Sequence, residues 1–468
     1  MKFLVLESST SSGKALYFDT EQESDPQIKA ISYPFTGADL TQHNAQVVYE
    51  LTLQSAREVL QDRRVDAIAI SGTWHSLGLF DQEMKPVTPV FPWNSTIASP
   101  ICRELRSDLA WKSYYLETGC MINSIYPFFK LLYLSQLGYD LKDYYIGGQN
   151  VFNFYQLTKK YMVSECLVSG SGLYNINTQD YDEKLNRLLG VSTSNLPSIV
   201  PSNSVFPLDP GAARLLNISP GIPVMVPNSD GGLNQVAENA QNPGQATFSV
   251  GTSGAIRIST AQPVLSPNQS TWCYRSPVNW LTGVATSGAC NCIDWFRMNF
   301  AAGMDYSALE AEQNSYDAPI FLPFLNGERC PGWNDQREAS FHGIKAQHTI
   351  QDLYQAVQEG ILFNLFQSYL ELIALVGKPD SIYLSGGILN SDKWIQVCAD
   401  IFCQPLFLSH NNQASLIGAL KLLLNHFKEK DCFLETSRKT VFPKGERQRL
   451  YQNRYERYLE AYNSFKQI

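Results

Sequence analysis

The chain has 468 residues, with 36 Lys+Arg against 44 Asp+Glu and a net charge of −8. At roughly 100–200 residues per domain, that length predicts two or three compact units and excludes a small disulfide-stapled scaffold. A hydrophobic fraction of 44% with 12% aromatic residues excludes disorder over most of the chain, and an acidic balance without a Lys/Arg run predicts no nucleic-acid partner and no membrane-surface partner.

The ten cysteines, from Cys102 to Cys432, include no CxxC pair. They read as reduced, mostly buried thiols and not as zinc ligands or a secreted framework. His43, His342, His348, His410 and His426 show no ligand spacing, so the histidines predict no metal site. The apolar run after Lys2 is too short for a signal peptide, and residues 416–424, which carry Lys421, fall well short of the roughly 18 apolar residues a membrane span needs. A cytoplasmic protein is expected.

In chain order, strand-like residues 3–6 and 15–18 flank the hydroxyl-rich turn Glu7-Ser8-Ser9-Thr10-Ser11-Ser12-Gly13-Lys14. A helical pattern precedes a strand at 65–70, which runs into Ser71-Gly72-Thr73 and then Trp74-His75. An apolar strand at 224–226 ends in Pro227-Asn228-Ser229-Asp230-Gly231-Gly232, and residues 234–245, rich in Asn, Gln, Gly and Pro, mark a boundary. The opening pattern then repeats: 246–250 and 255–259 flank Gly251-Thr252-Ser253-Gly254. Thr349-Ile350-Gln351-Asp352 forms a capping box ahead of a long apolar helix stopped by Gly377. A strand at 381–384 runs into Ser385-Gly386-Gly387, followed by a helix at Asp392–Phe402, a strand at 405–408 and a helix at Ala414–Phe427. Two matching features in the same order predict a duplicated α/β domain, divided into 1–240 and 241–468.

Turns of Gly, Ser and Thr let successive backbone N–H groups converge on an anion, and one such turn per domain, facing across a cleft, suits a polyphosphate. No GxxxxGK[ST] and no strand-anchored GxGxxG occurs, so neither a P-loop nor a dinucleotide fold is indicated. Asp230, at a strand end before two glycines, fits a general base for phosphoryl transfer to a hydroxyl; an Asx-turn is the other reading. Glu7 is a second carboxylate beside the first turn, where a nucleotide-borne Mg²⁺ would lie, or else a solvated strand-end residue. Trp74 and His75 suit a polyol, whose C–H faces pack on a ring while its hydroxyls meet the imidazole nitrogens. The turn-rich residues 321–333 read as a loop.

These segments, Ser71–Leu77 (SGTWHSL), 127–134 (PFFKLLYL), 227–232, 249–254, 321–333, 385–387 and the Tyr-rich 451–462, stand in the order and spacing of the FGGY carbohydrate kinases, and the chain resembles that family over essentially its whole length. The resemblance implies two ribonuclease-H-like, actin-like ATPase domains flanking a cleft, a sugar-side domain at 1–240 and a nucleotide-side domain at 241–468. It implies ATP and Mg²⁺ as cofactors and a small sugar or sugar acid as the partner phosphorylated; dimers are common in the family, so it allows a homodimer. Carried over by position, Asp230 resembles the catalytic base. Thr10, Ser11 and Lys14 fall in the first phosphate motif, and Gly251, Thr252 and Ser253 in the second. Gly386 and Gly387 resemble the adenosine-side turn, with Asn390 or Ser391 beside it. Trp74 and His75 occupy the sugar-contact position, and Glu7 the place of the carboxylate that reaches Mg²⁺ through water.

The Thr73-Trp74-His75-Ser76 string, together with residues 327–333, looks most like the gluconokinase branch, with xylulokinases and other polyol or ketose kinases as the runner-up. Two strings depart from the family. The usual Asp-x-Gly-Thr is here Glu7-Ser8-Ser9-Thr10, which lengthens the carboxylate by a methylene and places a side chain where glycine allows close approach. The usual Trp-x-Asp-x-Arg is here Trp93-Asn94-Ser95-Thr96-Ile97, without the carboxylate and the guanidinium. These departures motivate the alternative of a catalytically weak sugar-sensing homologue.

Overall fold

The computed structural model describes residues 1–22, 25–311, 317–409, 413–430 and 439–464, so His410 and Cys432 lie outside the described residues. The chain forms two compact units. The first comprises Met1–Gln241 with the later segments Cys273–Leu281 and Gln413–Thr436; the second comprises Asn242–Trp272, Thr282–Asn412 and Ser437–Ile468. The chain first passes from one unit to the other at 241/242, and each unit is discontinuous in sequence.

In the first unit, β1 (Lys2–Ser8) pairs antiparallel with β2 (Ser12–Asp19), and β2 with β3 (Gln27–Ser32). Helix α1 (Ala45–Leu60) starts where the Asn44 side chain accepts from the Gln46 and Val47 N–H groups, and it leads into β4 (Ala67–Gly72), parallel to β1. The helices that follow include α2 (Pro127–Gln136), α3 (Gln149–Thr158) and the short α4 (Glu165–Ser169). Strands β5 (Val205–Pro207) and β6 (Pro223–Met225) complete the order β5-β6-β4-β1-β2-β3, and β7 (Asn228–Ser229) also pairs with β4 before α5 (Asp230–Ala237) begins.

The second unit repeats the opening. Strand β8 (Gln245–Val250) pairs antiparallel with β9 (Gly254–Thr260) and parallel with β12 (Ser381–Ser385), as β1 does with β2 and β4. Strand β10 (Trp272–Arg275), most of which lies in the Cys273–Leu281 segment of the first unit, and β11 (Trp280–Thr286) follow in the chain ahead of α6 (Cys290–Phe300). Helix α7 (Ile350–Val376) carries the predicted capping box: the Thr349 hydroxyl accepts from Asp352 N–H, and the Asp352 carboxylate accepts from Thr349 N–H. Helix α8 (Asp392–Phe402) and strand β13 (Leu406–Leu408), parallel to β12, come next. After helix α9 (Ala414–Phe427), strand β14 (Thr440–Val441) pairs with β13, and α10 (Gly445–Ser464) closes the chain.

Although no uninterrupted apolar run approaches a span, α7 is long and apolar enough to cross a membrane by length and composition alone. Residues 354–365 of it are all buried in the second unit, the polar Gln355, Gln358, Glu359 and Asn364 among them, whereas Leu370 near its end is exposed. Glu359, fully buried on α7, pairs with the equally buried Arg454 of α10, and Gln355 donates to Glu359 at 2.7 Å.

Helix α9 belongs to the first unit. Alternate residues of one sheet face, Phe3 and Val5, Leu16 and Phe18, Ala67 and Ala69, form one core with Leu233 and Val236 of α5 and with Leu416, Leu420 and Leu423 of α9. The two helices approach closely because α9 carries glycine at position 418: a Cβ there would lie 2.1 Å from the Leu233 carbonyl oxygen. That neighbour is backbone and cannot step aside. Gly418→Ala is therefore expected to destabilise the protein by roughly 1–3 kcal/mol, read as a lower urea midpoint at unchanged slope; an unaltered midpoint would show that the contact is slack.

Candidate active site

Parallel pairing sets the site of the first unit. Ser8 of β1 is in register with Gly72 of β4, and Gly72 with Ser229 of β7, so three strand ends finish in one row. The residues that follow, the 9–12 turn, Thr73-Trp74-His75 and Asp230, emerge beyond the carboxyl ends of parallel strands, where open α/β sheets bind ligands. The register thus brings together three sequence-predicted groups that lie up to about 220 residues apart. Gly72 leaves room in that row for the Asn150 side chain, whose Oδ1 would lie 1.9 Å from a Cβ there.

Asp230 is the first residue of α5. Ser229 caps the helix, its hydroxyl accepting from Gly232 N–H at 3.0 Å, and Gly231 N–H donates to Asp230 Oδ1 at 2.7 Å. The carboxylate therefore sits on the first turn of a helix and is no Asx-turn; Ser229 does the local capping. Gly231 and Gly232 are helical, and Gly232 leaves room for Cys166 Sγ and Ser229 Oγ, each 2.9 Å from where its Cβ would be.

The first hydroxyl turn is held by its own groups. Ser9 N–H and Ser9 Oγ both donate to the Ser12 carbonyl, and Ser12 N–H donates to Ser9 Oγ. The serine that replaces the family's glycine is thus a structural member of the turn. Trp93 Nε1 donates to Thr10 Oγ1 at 2.9 Å, while Ser11 is exposed.

Glu7 and Lys14 stand opposite each other across β1 and β2, and Lys14 Nζ donates to Glu7 Oε1 at 2.8 Å. Glu7 Oε2 accepts from Ser71 Oγ at 3.2 Å and from Ser415 Oγ. The carboxylate is buried and met by three protein donors. It is not the solvated strand-end residue of the other reading, because a cation and two hydroxyls hold it inside the unit. Among the described residues no group of three or more His, Cys, Asp or Glu forms a metal cage. A Mg²⁺ ion fits here only as one carried on nucleotide phosphates, the usual mode for an ion that keeps several waters.

His75 lies in the left-handed region, with φ 69°. Its Nδ1 is 2.6 Å from the Gly170 carbonyl oxygen; that oxygen only accepts, so Nδ1 is the donor, which leaves Nε2 as the acceptor position of a neutral imidazole. Tyr126 and Tyr274 stand edge-on to the imidazole at 5.2 and 5.6 Å and share a hydroxyl hydrogen bond of 2.7 Å. Trp74 is only 6% exposed, and its indole N–H donates to the Cys166 carbonyl at 2.8 Å. Trp74 backs His75 and is not the open stacking face that the sequence suggests. A cavity beside Thr73, His75 and Asn150 is walled by Val151, Leu167 and Leu173.

Several contributors were not predicted. Gly170 and Cys166 come from a segment with no evident chemistry, Tyr274 from the later segment Cys273–Leu281, and Ser415 from the start of α9. Lys130 on α2 is fully buried, and its Nζ donates to the carbonyls of His75 at 2.9 Å, Pro92 at 2.7 Å and Phe91 at 3.3 Å. Burial holds its pKa well below the usual lysine range. Its signal in the sequence is a lone lysine inside the apolar run 127–134.

In the second unit, Gly251 N–H donates to the Ser253 carbonyl, and the turn's Gly251 carbonyl caps α6 by accepting from Cys290 N–H at 2.8 Å. Gly386 takes φ 96°, and a Cβ there would lie 2.4 Å from the Val250 carbonyl oxygen; at Gly387 it would lie 2.9 Å from Cys290 Sγ. The 251–253 turn, Gly386-Gly387 and the start of α6 therefore meet in a cradle that side chains would fill. This fits phosphates approached by backbone N–H groups. The Cys290 thiol beside it is pushed up to about 12, mainly by burial, which makes it a poor nucleophile. Ser391 caps α8 and donates to Glu310 at 2.7 Å, whereas Asn390 is exposed at the end of the preceding 3-10 turn.

Models of the FGGY family of carbohydrate kinases match the chain at residues 3–237 for the N-terminal domain and 246–424 for the C-terminal domain. A gluconokinase of Bacillus subtilis is 26% identical over 441 residues, covering 89% of this chain and 86% of the relative. A xylulose kinase of Escherichia coli is 25% identical over 374 residues, covering 78% and 76%. Among solved structures, a ligand-bound xylulose kinase from Lactobacillus acidophilus superposes with a TM-score of 0.91 at 25% identity, covering 100% of this chain and 98% of that one. A gluconate kinase from the same organism gives 0.90 at 25%, covering 99% and 98%.

Because an alanine at position 386 would meet the Val250 carbonyl and strain a positive φ, Gly386→Ala is expected to weaken ADP binding about tenfold or more. Isothermal calorimetry measures it. Wild-type affinity would remove the cradle from the nucleotide site.

Proposed function

Since the chain belongs to the FGGY family of carbohydrate kinases, we propose that it transfers the γ-phosphoryl group of ATP to a hydroxyl of a small sugar acid, converting gluconate to 6-phosphogluconate. The observation that carries this reading is the strand-end row that sets Asp230 beside the 9–12 turn and His75. Asp230 accepts the proton of the attacking hydroxyl as the new O–P bond forms and the bond from Pγ to the β,γ-bridging oxygen breaks, releasing ADP. His75, with Nε2 as acceptor, orients a neighbouring substrate hydroxyl; Trp74 supports it from behind.

Thr10, Ser11 and Lys14 serve the phosphates from the first unit, Lys14 by leaving Glu7. Gly251, Thr252 and Ser253 serve them from the second. Gly386, Gly387 and Asn390 form the adenosine side. Bound Mg²⁺ would supply charge neutralisation on the phosphates, with Glu7 within reach of its water shell. This reading includes a cytoplasmic enzyme with a sugar-side domain at 1–240 and a nucleotide-side domain at 241–468. The B. subtilis gluconokinase supports the choice of gluconate.

One observation favours a second substrate. Ile97 stands where the family carries an arginine suited to an acid, and the nearby Ser95 hydroxyl is buried without a hydrogen-bond partner. A ketose such as xylulose asks for no such cation, in keeping with the xylulose kinases above.

An ADP-release screen with Mg²⁺-ATP across gluconate, xylulose, ribulose and glycerol decides between them. Gluconate is expected to give the highest kcat/KM; xylulose in first place would select the ketose reading. Turnover on none, with saturable sugar binding, would make the protein a sensor. Asp230→Asn is expected to lower kcat by about 10²–10⁴, a typical general-base contribution, while ADP binding stays within twofold; near wild-type turnover would sink Asp230 as the base.

A further inference from the structure

Lys130 has no carboxylate partner among the described residues, yet its ammonium is fully buried. It has three N–H donors and meets three backbone carbonyls, so its donor capacity is met in full. Those carbonyls are not scattered. One belongs to His75, the residue held at φ 69°. The other two belong to Phe91 and Pro92, immediately before Trp93, whose indole N–H holds Thr10. The same loop is tied to the residues after His75 by the reciprocal bonds Leu77 N–H to Phe91 O and Phe91 N–H to Leu77 O.

A charge-assisted donor on a carbonyl is stronger than a neutral one, and a left-handed backbone at a non-glycine residue persists only where its surroundings over-determine it. Several groups surround His75. Gly170 O fixes the ring through Nδ1 and the two tyrosines flank it, but Lys130 is the cation on its main-chain carbonyl.

We infer that Lys130 is a positioning residue for sugar binding: its ammonium fastens the His75 turn to the loop that carries Trp93, and so sets where the imidazole meets the substrate. This rests on the reading of His75 as the sugar contact. Lys130 touches neither substrate nor nucleotide and acts through His75.

The test uses the full-length enzyme, Mg²⁺-ATP and the sugar with the highest turnover in the screen, and reads KM, which does not depend on the fraction of enzyme that is active. Lys130→Met is expected to raise the sugar KM about tenfold, the scale of a lost charge-assisted bond, with the ATP KM within twofold. In a His75→Ala background, the same substitution is expected to change the sugar KM less than twofold.

A sugar KM unchanged in Lys130→Met, while His75→Ala raises it, would overturn the clamp and leave the site intact. Equal effects of Lys130→Met in both backgrounds would also overturn it, as additivity marks a general structural role. No effect of His75→Ala on the sugar KM would remove the site assignment and the clamp together. If Lys130→Met does not fold, Lys130→Gln, whose amide still serves two carbonyls, carries the same comparisons with a rise above twofold as the threshold.

Discussion

The site of the first unit depends on one constraint, the register of the parallel strands β1, β4 and β7. Side chains alternate along a strand, so a slip of one residue in β4 would turn Ser71 away from Glu7 and send Ala67 and Ala69 out of the core. Packing and site are therefore fixed by the same pairing. The apolar residues that make slippage costly lie toward the amino ends of the strands; the polar residues that profit from the fixed register lie at the carboxyl ends. The second unit repeats the arrangement, with Ser249 opposite Ser385 and the glycine pair just beyond.

Much of this was legible in the sequence because it is local. The hairpins, the capping box of α7 and the bounds of α8 and α9 follow from turn residues and from periodicity within a few turns. The strand-end motifs were legible for the same reason, since a turn that needs glycine or hydroxyl groups displays them side by side. What was not legible joins distant positions: Ser415 to Glu7, Gly170 to His75, Tyr274 to Tyr126. Trp74 was misread because an aromatic residue beside a histidine suggests an open platform, whereas its indole N–H is satisfied by the Cys166 carbonyl inside the unit. The donors to Glu7 were not legible either, because nothing in the linear string shows which of its neighbours will reach it.

Buried charge is handled here by several means. Glu7 has a lysine and two hydroxyls, Glu359 has Arg454, and Lys130 has only carbonyl dipoles. Lys421 lies against the carboxyl end of α5, where it donates to the Ala237 carbonyl and Asn239 Oδ1, each at 2.9 Å, the end of a helix that favours a cation. A chain with a net charge of −8 is compatible with the polyanion of the proposed reaction, because in that reading a phosphate would meet the glycine-lined cradle at short range, while charge elsewhere on the surface is screened within about 10 Å in ordinary salt.

The return of α9 to the first unit has a consequence for biosynthesis. Leu416, Leu420 and Leu423 complete the core around Phe3 and Val5, yet they leave the ribosome some four hundred residues later. At about 5–20 residues per second, the sheet that opens the protein waits tens of seconds with one face uncovered. The nascent first half therefore carries exposed apolar surface during that interval, and a chain ending before α9 would expose the same surface permanently.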